Sequence, residues 1–477
     1  MTAYLPALFT WPWVKGIDVV RGVLDVVSWG PAISIARVIV CSLLSRIQVG
    51  HLEILDQVTG ETMHYGQKLV KSLETVNGTN STMCTKSSHS GVHKTKLIIK
   101  KDSFWLRLLI FGDMGFAEAY MLGDFECDDL TKFFEIFILN REQLANATTF
   151  TSSIAATVAS LARNANTLSN SLLNISAHYD ISNEMFEAFL SKDMTYSCPI
   201  WKKVTNPADE EESLEEAQMT KLNRFIQQAR IKQTDHVLEI GTGWGSFAIE
   251  AVRKTGCRVT SLTLSAEQKK LAEERIEAVG YQDKIKVLLM DYRALPIPDI
   301  PFDKVVSIEM LEAVGKEYLE TYFSCIHKLL SKNGIAVFQC ITMPEGRYEN
   351  YAKGEDFIRK YIFPGGHLPS ISQLINNISK GSNGTLVVEN IENIGGHYAR
   401  TLRLWKEEFL RNFDSKIKPA LVASHKAIGE KELEVFRRKW EYYFVYCEAG
   451  FATKTLGDVI ITVGREGAME LMEGIPR

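Results

Sequence analysis

The sequence predicts an α/β protein: a mostly parallel sheet covered by helices on both faces, preceded by a smaller α+β domain. Three observations carry this. From about Ile181 onward, apolar runs of strand length alternate with helical stretches. The first of those runs ends in a cluster of three glycines that opens a helix, and before residue 145 the pattern changes to alternation with a period of two.

At 477 residues and 45% hydrophobic content, the chain is too long for one compact core and apolar enough for more than one. A formal net charge of -4 excludes the strongly basic surface that neutralises phosphates, so no nucleic-acid partner is expected. The eight cysteines are scattered, with no Cys-x-x-Cys pair and no histidine at zinc-ligand spacing. They read as reduced thiols, and no metal is expected.

Residues 1–48 read as an amphipathic, hydrophobic extension. Trp11, Trp13 and Trp29 stand among Val, Ile and Leu, but Lys15, Asp18, Arg21, Asp25, Arg37 and the pair Gly30-Pro31 break the run. A spanning helix needs ~20 apolar residues in a row, and a secretory leader needs a basic start and a small-residue cleavage site. One or two amphipathic helices are expected instead, resting on a membrane surface or on the protein itself.

Residues 49–145 read as the smaller domain. Strands are expected within 50–75 and 94–111, a Gly, Asn, Ser and Thr-rich loop from Asn77 to Ser90, and helices over Ala117–Met121 and Leu130–Asn140. The Ser, Thr, Asn and Ala-rich residues 146–177 read as a linker, and 178–477 as the larger domain. Its expected strands are His236–Ile240, Arg258–Thr263, Ile285–Met290, Lys304–Ile308, Ile335–Cys340, Thr385–Ile394 and Val459–Val463. Helices are expected at Glu215–Ala229, Ala266–Val279 and Tyr318–Leu330, and the acidic run from Glu210 to Glu216 suits a helix start.

The segment from Val237 to Phe247 is an apolar strand running into Gly241, Gly243 and Gly245. Glycines there let the backbone turn sharply and approach a ligand at the sheet's carboxyl edge. The spacing lacks the third glycine of a dinucleotide fingerprint, and the next strand carries no acidic residue at its tip, which disfavours a nicotinamide cofactor. It offers Thr263, Ser265 and Gln268 instead, while Asp291-Tyr292-Arg293 closes the third strand where an adenine would lie. An ionised Glu239 beneath the turn suits the ammonium of a methionine moiety.

Several further segments complete a pattern: His178-Tyr-Asp-Ile-Ser-Asn, Met194-Thr-Tyr-Ser-Cys198, Thr263-Leu-Ser-Ala-Glu-Gln268, Glu309-Met-Leu-Glu-Ala-Val-Gly315, Tyr361-Ile-Phe-Pro-Gly-Gly366 and His397-Tyr-Ala-Arg-Thr-Leu402. With the glycine turn, they resemble the cyclopropane-fatty-acyl-phospholipid synthases and the related mycolic acid cyclopropane synthases, from about Phe111 to the C-terminus. The resemblance implies a Rossmann-like class I S-adenosylmethionine methyltransferase domain whose last strand is antiparallel. Carried over residue by residue, it puts Tyr196, Ser197, Gly241, Thr263, Gln268, Tyr292 and Arg293 around the cofactor. It puts Cys198, Glu312, Ile341 and Tyr398 around a bicarbonate ion. Gln339 stands where the bacterial members have histidine, and Met343-Pro-Glu-Gly-Arg-Tyr with Gly395-Gly-His-Tyr looks more like the plant and fungal branch. Glutamine still donates hydrogen bonds to an anion but does not change protonation.

The implied chemistry is attack of a lipid double bond on a sulfonium methyl, then removal of a proton from that methyl by bicarbonate to close a cyclopropane ring. The implied partner is an unsaturated phospholipid at a membrane surface, with the protein cytoplasmic and peripheral. A homodimer is compatible with this reading. Tyr361, Phe363, Trp405 and the aromatic run from Trp440 to Tyr446 are candidates for stabilising a cation, although ordinary packing is the expected role of most. His178 and His397 are expected to orient their loops. Two rivals stand beside this reading: a methyl-branching lipid methyltransferase like the fungal sphingolipid C9-methyltransferases, and an inactive lipid-binding or cofactor-binding relative.

Overall fold

The structure, a computed structural model, describes residues 30–67, 93–145, 182–203, 212–425 and 428–476. The first part of the amphipathic extension, the loop at Asn77–Ser90, the linker, His178 and Glu210 therefore lie outside the described residues. By contact, the chain divides into two units. One holds the described residues up to 145 together with 429–449; the other holds the rest. The inclusion of 429–449 departs from the contiguous division expected, because that segment's rings pack into the first unit's core.

In the first unit, β1 (His51–Asp56), β2 (Thr62–Gly66), β3 (Lys94–Ile99) and β4 (Phe125–Cys127) form a sheet in the order β2-β1-β3-β4. Alternating burial along β1 and β3 matches their alternating sequence. The strand expected to reach residue 111 ends at Ile99, and Ser103–Met121 is helical. Ser103 to Leu109 is buried on nearly every side, so its apolar run carries no period that separates helix from strand. Phe116 stacks on Phe133 at 4.6 Å, and Tyr442, from the long helix Glu430–Ala452, joins this cluster. At the chain's start, Gly30–Leu44 is a helix with Ala36, Val40 and Leu44 buried along one face. Proline is its second residue, where a missing N–H costs nothing. No described helix is long and apolar enough to cross a membrane.

The second unit holds β5 (His236–Ile240), β6 (Arg258–Thr263), β7 (Ile285–Leu289), β8 (Phe302–Ile308), β9 (Leu330–Thr342), β10 (Leu386–Asn393) and β11 (Gly457–Arg465) in the order β10-β11-β9-β8-β5-β6-β7. Only β11 runs against its neighbours. This is the mostly parallel sheet with an antiparallel last strand. The order reverses between β5 and β8, and in such sheets ligands bind outside the carboxyl ends at that switch point. Leu238, Val305, Ala336, Phe338 and Ile461 form the core beneath it, with Tyr322 and Phe323 packed on one face.

Candidate active site

At the end of β5, Gly241, Gly243 and Gly245 all have positive φ, of 101°, 53° and 86°. Side chains rarely tolerate that conformation, so the turn requires glycine. Gly245 caps the helix Ser246–Thr255, and the amides of Gly241 and Thr242 both donate to the Leu262 carbonyl at 3.0 Å. A Cβ on Gly241 would stand 3.4 Å from Met310, so the turn faces the chain leaving β8. The loop of Tyr196, Ser197 and Cys198 is pinned to the turn, since the Asp193 carbonyl accepts from Ser246 Oγ and, at 2.9 Å, from Arg275.

Glu239 is 3% exposed and accepts from Ser261 Oγ, which also bonds Thr242 Oγ1 at 2.6 Å. Burial pushes its carboxyl up to about 8, so the ionised form expected from sequence requires a cationic partner. On the next strand tip, Thr263 Oγ1 donates to Gln268 Oε1 at 2.9 Å. After β7, the Arg293 guanidinium grips Asp291 through two bonds of 2.9 and 2.6 Å, and Tyr292 packs edge-on against Tyr322. Tyr196 leans on Trp405 at 5.1 Å. Glycine turn, lone carboxyl and polar strand tips together fit an amino-acid ligand carrying an adenosyl group.

Across the switch point lies a cage of buried polar groups. Glu309, just past β8, accepts from the Cys198 amide at 2.7 Å and Gln339 Nε2 at 2.8 Å on one oxygen. Its other oxygen accepts from Tyr398 OH at 2.7 Å. Gln339 Nε2 also donates to Asp458 Oδ2 at 2.7 Å, and the Ile341 amide donates to Glu312 Oε1 at 2.5 Å. Lys221 Nζ donates to Ser197 Oγ at 2.5 Å. Cys198, Lys221, Gln339 and Asp458 are fully buried, whereas Glu309 and Glu312 keep partial exposure.

Burial raises the carboxyls of Glu309 and Asp458, and it raises Glu312 to about 8 with the Glu309 charge adding to the effect. Burial also holds Lys221 below the usual lysine range, while Glu309 pulls it back. Three carboxyls beside one lysine do not all ionise at neutral pH. Burial likewise pushes the Cys198 thiol up, so Cys198 contributes its backbone amide and not a thiolate.

The expected residues thus come together in part. Cys198, Gln339 and Tyr398 meet, but on Glu309, which sequence reasoning quoted in a motif and gave no role; Glu312 and Ile341 meet each other. Asp458 and Lys221 were also missed. The donors that the resemblance assigns to bicarbonate are engaged by Glu309 or Glu312, so the residues present do not fit a further anion. His397 holds its loop as expected, accepting from the Trp201 amide at 3.1 Å. Of the candidate aromatics, Trp405 lies beside Tyr398 at 5.8 Å, while Tyr442 and Tyr446 pack on Phe134 in the first unit.

A family model described as mycolic acid cyclopropane synthetase matches residues 166–460. The chain is 36% identical over 380 residues to the tuberculostearic acid methyltransferase UfaA1 of Mycobacterium tuberculosis, covering 78% of this chain and 83% of that protein. It is 33% identical over 379 residues to the cyclopropane-fatty-acyl-phospholipid synthase of Escherichia coli, covering 78% and 89%. The crystal structure of mycolic acid cyclopropane synthase CmaA1 complexed with SAH and CTAB matches at a TM-score of 0.51 and 28% identity, over 62% of this chain and 98% of that one. Sheet order, glycine turn and relatives agree, and the chain belongs to the mycolic acid cyclopropane synthetase family, as an S-adenosylmethionine-dependent methyltransferase.

Proposed function

We propose that this chain transfers a methylene group from S-adenosylmethionine to the double bond of an unsaturated phospholipid acyl chain, closing a cyclopropane ring. The supporting observation is the juxtaposition of a cofactor turn and a carboxylate cage, with Met310 against Gly241. When bound, S-adenosylmethionine supplies a methyl group made electrophilic by its sulfonium. Glu239 would hold the ligand's ammonium, Thr263 and Gln268 its ribose, and Asp291, Tyr292 and Arg293 the adenine edge. Tyr196 and Ser197, on the loop tied to the glycine turn through the Asp193 carbonyl, would stand beside it. Trp405 and Tyr398 pack edge to face at 5.8 Å beside Glu309, and aromatic faces of this kind stabilise a carbocation without trapping it. Substrate access from a membrane surface, with the protein peripheral to it, follows from the lipid substrate.

The test incubates purified protein with methyl-labelled S-adenosylmethionine and phosphatidylglycerol vesicles carrying monounsaturated chains. Label should enter the lipid, and the product should show the high-field proton signal of a cyclopropane. Absence of label with cofactor still bound would overturn the proposal. A methyl-branched product is the second reading, favoured by the relative named for tuberculostearic acid. A methyl signal without the high-field one would establish it.

A further inference from the structure

We propose that Glu309 is the chain's own catalytic base, its carboxylate seated where the resemblance places bicarbonate. This rests on the transfer reading above. The geometry is that of an anion site already filled. Three donors from separate parts of the chain, the Cys198 amide, Gln339 Nε2 and Tyr398 OH, converge on one carboxylate and satisfy both of its oxygens. Cys198 and Tyr398 are two of the four residues that the resemblance assigns to the ion, and Gln339 stands where the bacterial members have histidine.

The backbone agrees. Glu309 has φ of 46°, a conformation that a residue with a side chain adopts only when its surroundings hold it there. The unusual backbone turns the glutamate into the cage while leaving Met310 against Gly241. Glu309 and Glu312 keep partial exposure while Gln339 and Asp458 are fully buried, and of the two glutamates Glu309 is the one on which Cys198, Gln339 and Tyr398 converge. Gln339 completes the arrangement, because an amide donates equally well whichever way protons move around it.

The step balances. The olefin's π pair forms a bond to the methyl carbon as the carbon–sulfur bond breaks, its electrons going to sulfur, and the neighbouring carbon becomes cationic. Glu309 then takes a proton from the delivered methyl. The electron pair of that C–H bond closes the ring on the cationic carbon. Glu309 later releases the proton to water at the crevice.

The experiment uses full-length protein in carbonate-free buffer, with 13C-bicarbonate binding followed by NMR alongside transfer to the vesicles described above. Wild type should show no saturable 13C-bicarbonate binding, and its transfer should be the same with or without added bicarbonate. Glu309→Gly opens the seat and suits the positive φ, so it should fold and bind cofactor. It should also bind 13C-bicarbonate, lose about 100-fold in transfer without the ion and regain at least about tenfold with it. Glu309→Gln should stay slow in both conditions. Saturable bicarbonate binding by wild type, a wild-type rate that falls when bicarbonate is removed, or full activity in Glu309→Gln would overturn the proposal. If wild type transfers nothing to lipid, the transfer reading fails, while the two binding measurements still decide who occupies the seat.

Discussion

At the ends of β6 and β7 the polar side chains pair with close neighbours in sequence: Thr263 with Gln268, Asp291 with Arg293. At the ends of β8, β9 and β11 they pair across the chain, Glu309 with Tyr398 over 89 positions and Gln339 with Asp458 over 119. Local pairs form and break without disturbing the fold, so the cofactor side can trade them for a ligand at little cost. The cage exists only once β9 and β11 are registered, with Gln339 opposite Ile460 and Asp458 opposite Ile341. One side of the crevice is adaptable, and the other is set by folding.

Four experiments sharpen or break that contrast. The largest effect is expected for Lys221→Met, which leaves the cage carboxyls without their buried cation. Removing one partner of a buried charge cluster costs roughly 3–5 kcal/mol, so the denaturation midpoint should fall sharply. A shift of less than about 1 kcal/mol would mean the cage is not folded as a unit.

Next, Glu312→Gln should lower kcat by about 100-fold while cofactor affinity stays near normal, because it alters the cage and spares the turn. Equal losses in turnover and cofactor binding would erase the distinction between the two sides.

Third, cofactor affinity should depend on pH through Glu239. Its raised carboxyl must ionise to meet an ammonium, so binding releases a proton and tightens by up to about tenfold per unit as pH rises towards 8. The gain should stop there, as a ligand amine loses its own proton near 8. In the ligand-free protein, the same group contributes stability that is complete below its ordinary 4.5 and is lost as pH rises to about 8. Flat titration-calorimetry affinities from acid to neutral pH would remove Glu239 from the site. The smallest effect is expected for Arg293→Ala, an exposed pair whose loss should weaken cofactor binding by no more than about threefold.

Much of the second unit was legible in the sequence. Strands β5 and β6 fall on the expected residues, because their apolar runs are bounded by turn residues on both sides. The glycine turn was legible for the same reason. The cage was not, since its members become neighbours only in three dimensions. Each still left a local sign. Glu309 closes a parallel strand, where sheets of this kind place ligands. Asp458 is a lone acid opening the buried run of β11, and Lys221 interrupts the buried stripe of Ala217, Leu222 and Phe225 on its helix. A charged residue where the pattern calls for an apolar one is the available signal, and composition and motifs alone give these three residues no role.

The long helix Glu430–Ala452 has a consequence for anyone dissecting this protein. Its residues up to 449 group with the first unit, and β11, with Asp458, follows after a short turn. The methyl-transferring half is therefore not a portable cassette. A fragment beginning at the linker would still carry Tyr442 and Tyr446 on that helix, stripped of Phe116, Tyr120 and Phe134 against which their rings pack, and such surfaces drive aggregation. Shortening this enzyme calls for an internal splice around the helix, with the last strand kept in place.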